Sequence, residues 1–242
     1  MNQNTQHTIT LKPLDSYDWS AINQDLDKQG YAILENLLRA EDCQTIAAFY
    51  DSDSLFRSRI IMAKHGFGRG EYQYFNYPLP DIVSILRTAL YAKLLETANR
   101  WQANMSLNVR FSEKYGDFIN QCHQVGQCKP TPLLVKYGAD DYNCLHQDLY
   151  GEQFFPLQVA ILLSQPEKDF TGGELVLTEQ RPRMQSRVET VPLKQGDAVI
   201  FAVHQRPVKG KRGYYRVNMR HGVSRIRSGL RLVLGIIFHD AS

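Results

Sequence analysis

The sequence predicts an α+β protein in which a helical layer over residues 11–110 supports a β-barrel of sandwich or jelly-roll type over residues 111–242. In the first part, apolar residues recur at intervals of three and four, which is the helical repeat. Beyond about residue 120, short apolar runs alternate with glycine, proline and polar clusters. Evenly spaced short strands without helices between them are typical of an antiparallel barrel, not of a parallel α/β sheet. With 43% hydrophobic and 22% charged residues, the 242 residues are expected to form one domain.

The first helix is predicted from the spacing of Trp19, Ile22 and Leu26. Gly30 stands where a glycine commonly ends a helix, and a short strand is expected over residues 31–34.

Two more helices are expected in the N-terminal part. One begins near Arg39, and the other begins near Asp81 and carries a broad apolar stripe. The segment Arg59–Tyr77 between them is rich in glycine, aromatic and charged residues, above all at His65–Glu71. We expect a loop here, of a composition suited to covering a binding site.

The strands of the barrel are predicted at the apolar runs of the second half of the chain. These runs are Leu133–Val135, Val159–Leu163, Glu174–Leu177, Ala198–Phe201 and Leu232–Phe238.

The location of the protein is expected to be cytoplasmic, with no membrane partner. No apolar stretch approaches the roughly 20 residues that a membrane helix needs. Met1–Thr10 is polar where a secretory signal would be apolar. The chain has only four cysteines, which a reducing compartment would leave as thiols.

Positive charge is concentrated in one segment of the chain. Residues 181–231 contain 13 Lys and Arg but only two acidic residues, whereas the net charge of the whole chain is +3. Such a segment favours an anionic partner such as nucleic acid, although basic residues at solvated strand edges explain the same pattern. The basic set consists of Arg181, Arg183, Arg206, Lys209, Lys211, Arg212 and Arg216, with Tyr214 and Tyr215 available to stack on a base.

The most informative pair of residues is His146 and Asp148. Alternate residues of a strand share a face, so the two side chains would project together from the strand predicted over Tyr142–Asp148. His221 offers a third ligand, 73 positions beyond Asp148. Two histidines and one carboxylate occupy one face of a metal octahedron and leave the rest open, as in non-heme Fe(II) oxygenases. The sequence therefore predicts a redox-active iron site and not a structural zinc site.

A cosubstrate anchor is predicted at Arg231, ten residues after His221. A guanidinium group can donate two parallel hydrogen bonds to a carboxylate, which a lysine ammonium cannot match. We therefore expect Arg231 to bind a dicarboxylate beside the metal.

This pattern of His-x-Asp, a distal histidine and a basic residue ten positions later resembles the Fe(II)/2-oxoglutarate-dependent dioxygenase superfamily. The resemblance covers roughly Leu133–Asp240. The segments similar to prolyl-hydroxylase-type members are Thr171–Leu175, Gln195–Phe201 and the N-terminal Gln29–Cys43. More narrowly, Cys144–Gly151 and Thr178–Ser186 resemble a bacterial oxygenase family that is associated with damaged DNA.

The resemblance implies a double-stranded β-helix, the jelly-roll or cupin-like barrel, in which His146, Asp148 and His221 bind iron. It implies that Arg231 binds the distal carboxylate of 2-oxoglutarate and that Tyr137 contacts the same carboxylate. The implied reaction consumes dioxygen and 2-oxoglutarate, hydroxylates an organic substrate and releases succinate and CO2.

Alternative functions stay open at this point. The substrate can be a damaged nucleic acid, a protein side chain such as proline, or a small metabolite. A non-catalytic barrel that binds a metal and recognises a ligand is the alternative from another class. His239 and Asp240 follow the last apolar run and are expected to be structural.

Overall fold

The structure is a computed structural model that describes residues 9–242, so most of the polar N-terminal segment lies outside the described residues. Its helices are α1 (Trp19–Gln29), α2 (Ala40–Ala47), α3 (Asp81–Asn104) and α4 (Tyr115–Gln124). Its strands are β1 (Tyr31–Leu34), β2 (Phe56–Ile61), β3 (Gly68–Arg69), β4 (Glu71–Phe75), β5 (Leu133–Tyr137), β6 (Tyr142–His146), β7 (Leu157–Leu162), β8 (Phe170–Gly172), β9 (Leu175–Gln180), β10 (Arg187–Val191), β11 (Ala198–Ala202), β12 (Gln205–Gly210), β13 (Gly213–Val223), β14 (Ile226–Gly229) and β15 (Arg231–Ile236).

The strands form two main antiparallel sheets. One has seven strands in the order β1-β11-β7-β15-β5-β4-β2. The other has the order β10-β9-β13-β6-β3, with β12 also paired to β13, and a small third sheet joins β8 to β14. Apolar side chains of the two main sheets meet in a shared core, which includes Leu177 of β9 and Phe201 of β11. The predicted double-stranded β-helix is confirmed.

Strand β11 is apolar along its whole length because both faces of its sheet are buried. Ala198 and Ile200 point into the core that the sheet shares with the helices. Val199 and Phe201 alternate with them and point into the barrel. The seven-stranded sheet is therefore the middle layer of the molecule, with helices on one side and the barrel interior on the other.

The helical layer packs on the outer face of the seven-stranded sheet. Leu86, Leu90 and Trp101 of α3 share one apolar core with Ile161 of β7 and Leu234 of β15. Burying side chains of this size contributes about 1.5–3 kcal/mol each. Packing on its outer face thus stabilises the sheet, so the face towards the barrel interior can carry polar site residues.

Helix α1 begins and ends as its sequence predicts. The Asp18 carboxylate accepts hydrogen bonds from the backbone N–H groups of Ser20 and Ala21 at 3.0 and 3.1 Å. Gly30 ends the helix at φ +83°, a left-handed conformation that favours glycine. The chain then enters β1, which pairs with β11 at the edge of the seven-stranded sheet.

The segment Arg59–Tyr77, expected to be a loop, is largely strand. Strands β2 and β4 form a hairpin, and β4 joins it to the seven-stranded sheet through β5. An ion pair between Arg59 and Glu71 connects the two strands of this hairpin. Such cross-strand pairs stabilise partly exposed strands without leaving an apolar repeat in the sequence, which is why composition alone indicated a loop.

The division into a helical part and a β part is less sharp than the sequence predicts. Strands β1, β2 and β4 come from the first 110 residues, yet they belong to the seven-stranded sheet. Helix α4 lies beyond residue 110, where Phe118 packs against Tyr91 and Phe155 with ring centroids 5.6 and 6.0 Å apart. No helix within residues 9–242 is both long and apolar enough to cross a membrane.

Candidate active site

A cavity of about 330 Å³ lies inside the barrel, between the two main sheets. Strand alternation decides which side chains face it. On β15, Arg231, Val233 and Gly235 line the cavity, while Leu232 and Leu234 point to the helical core. The five site residues predicted from the sequence all line this one cavity: Tyr137, His146, Asp148, His221 and Arg231.

The predicted metal ligands converge in the lining of the cavity. His146 at the end of β6 lies directly opposite His221 on β13, and the ring centroids are 4.1 Å apart. Asp148 follows two residues after His146. Its Oδ1 lies 3.5 Å from His146 Nε2, and its Oδ2 lies 3.3 Å from His221 Nε2. One ligand atom from each residue lies within 4.8 Å of the others, a spacing at which the three atoms can share one ion.

The Asp148 carboxylate is held by two further side chains that the sequence did not single out. Gln158 on β7 donates from Nε2 to Oδ2 at 2.8 Å, and the Tyr150 hydroxyl donates to Oδ1 at 2.7 Å. On the other side, His146 Nδ1 lies 2.8 Å from the backbone oxygen of Cys144, which leaves Nε2 of this ring to face the cavity. The ligand atoms are therefore oriented before any metal binds.

The charges of these groups favour a cation. Burial by itself raises the pKa of Asp148. The hydrogen bonds and the charges of His146 and His221 outweigh burial and lower this pKa well below its usual value. Burial lowers the pKa of His221, and the nearby His146 lowers it further. Burial lowers the pKa of His146 too, but the hydrogen bond to Asp148 and the charge of Asp148 outweigh burial and raise it, so a metal must displace a proton from this ring. The directions for Asp148 and His221 favour the ionised carboxylate and the neutral imidazole in which these residues bind a metal.

Arg231 and Tyr137, which line the same cavity, lie opposite each other on the paired strands β15 and β5. The Arg231 guanidinium carbon lies 5.7 Å from the Tyr137 ring centroid and 5.8 Å from that of Phe170. Burial lowers the pKa of Arg231 to about 10, so the side chain stays charged at neutral pH. Burial also raises the pKa of Tyr137 to about 12, which keeps its hydroxyl protonated.

The residues present fit both groups that the sequence pattern implied. Arg231 Nε is buried without a hydrogen-bond partner. A buried cation in a largely apolar cavity is costly unless it is paired, and a carboxylate would supply the missing acceptors. The two histidines and one carboxylate of the triad match the ligand set of a non-heme iron site.

Gln158 and Tyr150 are the site residues that sequence reasoning missed. A signal existed for Gln158, since it is the one polar residue in the apolar run Leu157–Leu162 and is buried. A polar side chain in a strand that is buried on both faces needs a partner, which here is Asp148. Tyr150 lies outside any strand, and the sequence held no comparable signal for it.

The basic set contains buried, hydrogen-bonded and exposed members. Arg206 is buried, forms an ion pair with Glu179 and donates to the backbone oxygen of Asp27 at 2.8 Å. This residue is therefore removed from the predicted basic surface. Tyr215 packs against the helical core, and Arg216 donates to a backbone oxygen at 2.7 Å. Arg181 is half-buried and forms an ion pair with Glu179. The exposed members are Arg183, Lys209, Lys211, Arg212, Tyr214 and Arg216.

Comparison with known proteins places these features in context. A family model described as "Oxygenase, catalysing oxidative methylation of damaged DNA" matches residues 70–241. An uncharacterized protein of Mycobacterium tuberculosis is 48% identical over 168 residues, which cover 69% of this chain and 72% of that protein.

Two solved structures are similar in fold. A prolyl-4-hydroxylase of Pseudomonas putida superposes with a TM-score of 0.54 at 15% identity, covering 93% of this chain and all of that chain. An oxidoreductase of the 2OG-Fe(II) oxygenase family from Burkholderia pseudomallei gives a TM-score of 0.54 at 15% identity, covering 94% of each chain. At this level of identity the likeness concerns the fold.

Proposed function

The chain belongs to the oxygenase family that is described as catalysing oxidative methylation of damaged DNA, and we propose that it is an Fe(II)- and 2-oxoglutarate-dependent dioxygenase. The family match and the related folds confirm the resemblance to this superfamily. The observation that carries the proposal is one cavity lined both by a metal-ligand triad and by a buried guanidinium.

His146, Asp148 and His221 are the proposed iron ligands. Their atoms already converge, and Gln158 and Tyr150 fix both carboxylate oxygens of Asp148. Preorientation of this kind lowers the cost of metal binding because fewer side-chain rotamers must be ordered.

Arg231 and Tyr137 are the proposed anchors of the distal carboxylate of 2-oxoglutarate. The guanidinium can form two charge-assisted hydrogen bonds, and the protonated Tyr137 hydroxyl can donate a third. A dicarboxylate held in this way would occupy the same cavity as the metal ligands.

When bound, iron and 2-oxoglutarate supply the oxidising chemistry, in which one oxygen atom of O2 enters a substrate C–H bond and the other enters succinate as CO2 leaves. The protein holds the reactants in line and keeps bulk water out. The lining that excludes water consists of apolar side chains, among them Val135, Ala160, Leu162 and Val233.

The proposed substrate is damaged nucleic acid, because the family is described in those terms. A damaged base must offer a C–H bond to an oxygenase, as a base with an added methyl group does. The basic segment 181–216, which charge alone favours as the contact surface, keeps exposed cations at Arg183, Lys209, Lys211 and Arg212. We place this reaction in the cytoplasm.

The test is succinate release from 2-oxoglutarate in the presence of O2 and Fe(II). We expect a single-stranded oligonucleotide with one methylated base to stimulate release above an unmodified oligonucleotide and above a proline-containing peptide. His146→Ala and Asp148→Ala remove the iron ligands and should abolish release. Metal binding without any O2-dependent succinate would instead support a non-catalytic barrel, and stimulation by the peptide alone would support a protein hydroxylase.

A further inference from the structure

The turn between β2 and β4 that ends in strand β3, residues Lys64–Arg69, contributes Gly66 and Phe67 to the lining of the cavity. Its Phe67 side chain lines the cavity and is 47% exposed. We infer that this turn, rather than the basic segment 181–216, is the surface that binds the nucleic-acid substrate, with a nucleobase stacked on Phe67. The inference rests on the proposed function and adds the place and the mode of substrate contact.

The turn is attached to the strand that carries an iron ligand. The backbone oxygen of Phe67 accepts a hydrogen bond from Cys144 N at 2.9 Å, and Gly68 pairs with Asn143 on β6. Cys144 lies two residues before His146. A ring placed on Phe67 is therefore held beside the reaction centre by two adjoining strands.

The backbone of the turn is fixed although the ring is exposed. The N–H groups of His65 and Phe67 both donate to the backbone oxygen of Met62, at 3.0 and 3.2 Å, and Met62 is buried. Gly68 has φ +126°, and an added Cβ would lie 2.4 Å from the backbone oxygen of Tyr142. Only glycine permits this close approach, so the turn offers a preformed surface.

The aromatic groups of the turn are arranged to stack. The rings of His65 and Phe67 lie 5.3 Å apart with an interplanar angle of 21°. Large apolar residues are rarely left exposed together unless they contact a ligand or partner. Four such residues lie on the paired strands β3 and β6 or directly next to them: Phe67, Tyr142, Leu145 and Leu149.

The charges of the turn match a phosphate backbone. Lys64 and Arg69 are exposed on either side of Phe67, and the segment from residue 63 to residue 70 contains no acidic residue. Within residues 9–242 neither cation forms an ion pair with a carboxylate. Interleaved cations and aromatic rings bind single-stranded nucleic acid, because phosphates pair with the cations while bases stack on the rings.

The hairpin β12–β13 lacks this combination. Arg206 forms an ion pair with Glu179 in the interior, and Tyr215 packs against the helical core. Tyr214 is 48% exposed, but it does not line the cavity. A base stacked on Tyr214 would therefore gain contact area without being presented to the iron ligands.

The experiment measures binding of a fluorescent single-stranded oligonucleotide to the full chain, loaded with Fe(II) and 2-oxoglutarate in the absence of O2. We expect Phe67→Ala to weaken binding about tenfold, the loss typical of one stacked base. Tyr214→Ala, an aromatic residue of similar exposure on the competing surface, should change the affinity less than twofold. Lys64→Gln and Arg69→Gln should each reduce the slope of log K against log salt by about 0.7.

Wild-type affinity in Phe67→Ala, or an equal loss in Tyr214→Ala, would overturn the inference. The inference would also be overturned if Phe67→Ala raised the KM for a peptide substrate and left the affinity for the oligonucleotide unchanged. The turn would then bind a polypeptide. Absence of succinate release from the wild-type chain with every substrate would contradict the proposed function instead, since binding to the turn is measured without turnover.

Discussion

Gln158 and Asp148 are joined by a 2.8 Å hydrogen bond between the amide Nε2 and carboxylate Oδ2, in a cavity where the amide oxygen of Gln158 has no partner. The same Nε2 lies 3.3 Å from His221 Nε2. One neutral side chain on the seven-stranded sheet thus touches two of the three proposed iron ligands, which come from the facing side of the barrel. This contact connects the seven-stranded sheet to the proposed metal ligands.

Replacing Gln158 by leucine tests this positioning role. The substitution keeps the volume but removes the donor that orients Asp148, so we expect the affinity for Fe(II) or Co(II) to fall about tenfold or more. Anaerobic metal titration measures the affinity directly. Gln205→Leu, at a half-buried glutamine on β12, is the matched control and should bind metal like the wild type. Equal metal affinity in the Gln158 variant would show that Asp148 needs no such support.

Arg231→Gln should separate cosubstrate binding from metal binding. The variant loses a buried cation whose charge-assisted hydrogen bonds are worth about 1.5–3 kcal/mol each, so the KM for 2-oxoglutarate should rise at least tenfold. Metal affinity should stay within twofold of the wild type, because Arg231 is not among the three converging ligands. Arg227→Gln on β14 is the control, since this arginine is exposed. An unchanged KM would remove Arg231 from its proposed role.

The sequence predicted those parts of the molecule that depend on local periodicity. His146 and Asp148 line one cavity as predicted, although β6 ends at His146 and the cavity is also lined by Leu145 and Gln147. Each apolar run predicted from Leu133 onwards overlaps a strand. The sequence could not distinguish Arg206 from exposed arginines, because burial beside Glu179 depends on how distant strands pack. The β2–β4 hairpin was missed for a similar reason, since its stability comes from cross-strand pairing.

The buried ion pair between Arg87 and Asp240 is predicted to be a main determinant of stability. The guanidinium Nη2 lies 2.7 Å from Oδ1, and the two side chains are only 1% and 0% exposed. Asp240→Asn leaves the buried Arg87 charge without its counter-ion, which typically costs about 3–5 kcal/mol of the free energy of unfolding. Urea denaturation followed by circular dichroism measures this loss.

A matched control for that loss is Arg100→Met, which breaks the partly exposed ion pair with Asp27. Exposed pairs contribute about 0–1 kcal/mol, so this variant should unfold close to the wild-type urea midpoint. If the two variants lose similar stability, burial does not set the strength of the Arg87–Asp240 pair.

His239 is predicted to make stability depend on pH. Burial and the nearby Arg87 charge lower its pKa from 6.5 to about 4. The unfolded chain binds a proton at this position below about pH 6.5 and the folded chain does not, so the free energy of unfolding falls as the pH is lowered from about 6.5 to 4. The slope contributed by one such histidine is about 1.4 kcal/mol per pH unit.

The variant His239→Gln isolates this contribution. Its free energy of unfolding, measured by urea titration between pH 4 and pH 7, should decrease less steeply than that of the wild type. His65→Gln, at an exposed position, is the control for replacing a histidine by glutamine. A wild-type slope in His239→Gln would show that another group takes up the proton.

The most direct measurement is a crystal structure of the full chain with Fe(II) and 2-oxoglutarate, prepared without O2. We predict one iron ion bonded to His146, Asp148 and His221, with the distal carboxylate of 2-oxoglutarate on Arg231. An ion bound elsewhere, or an iron ion that lacks any one of the three residues, would contradict the proposed iron site.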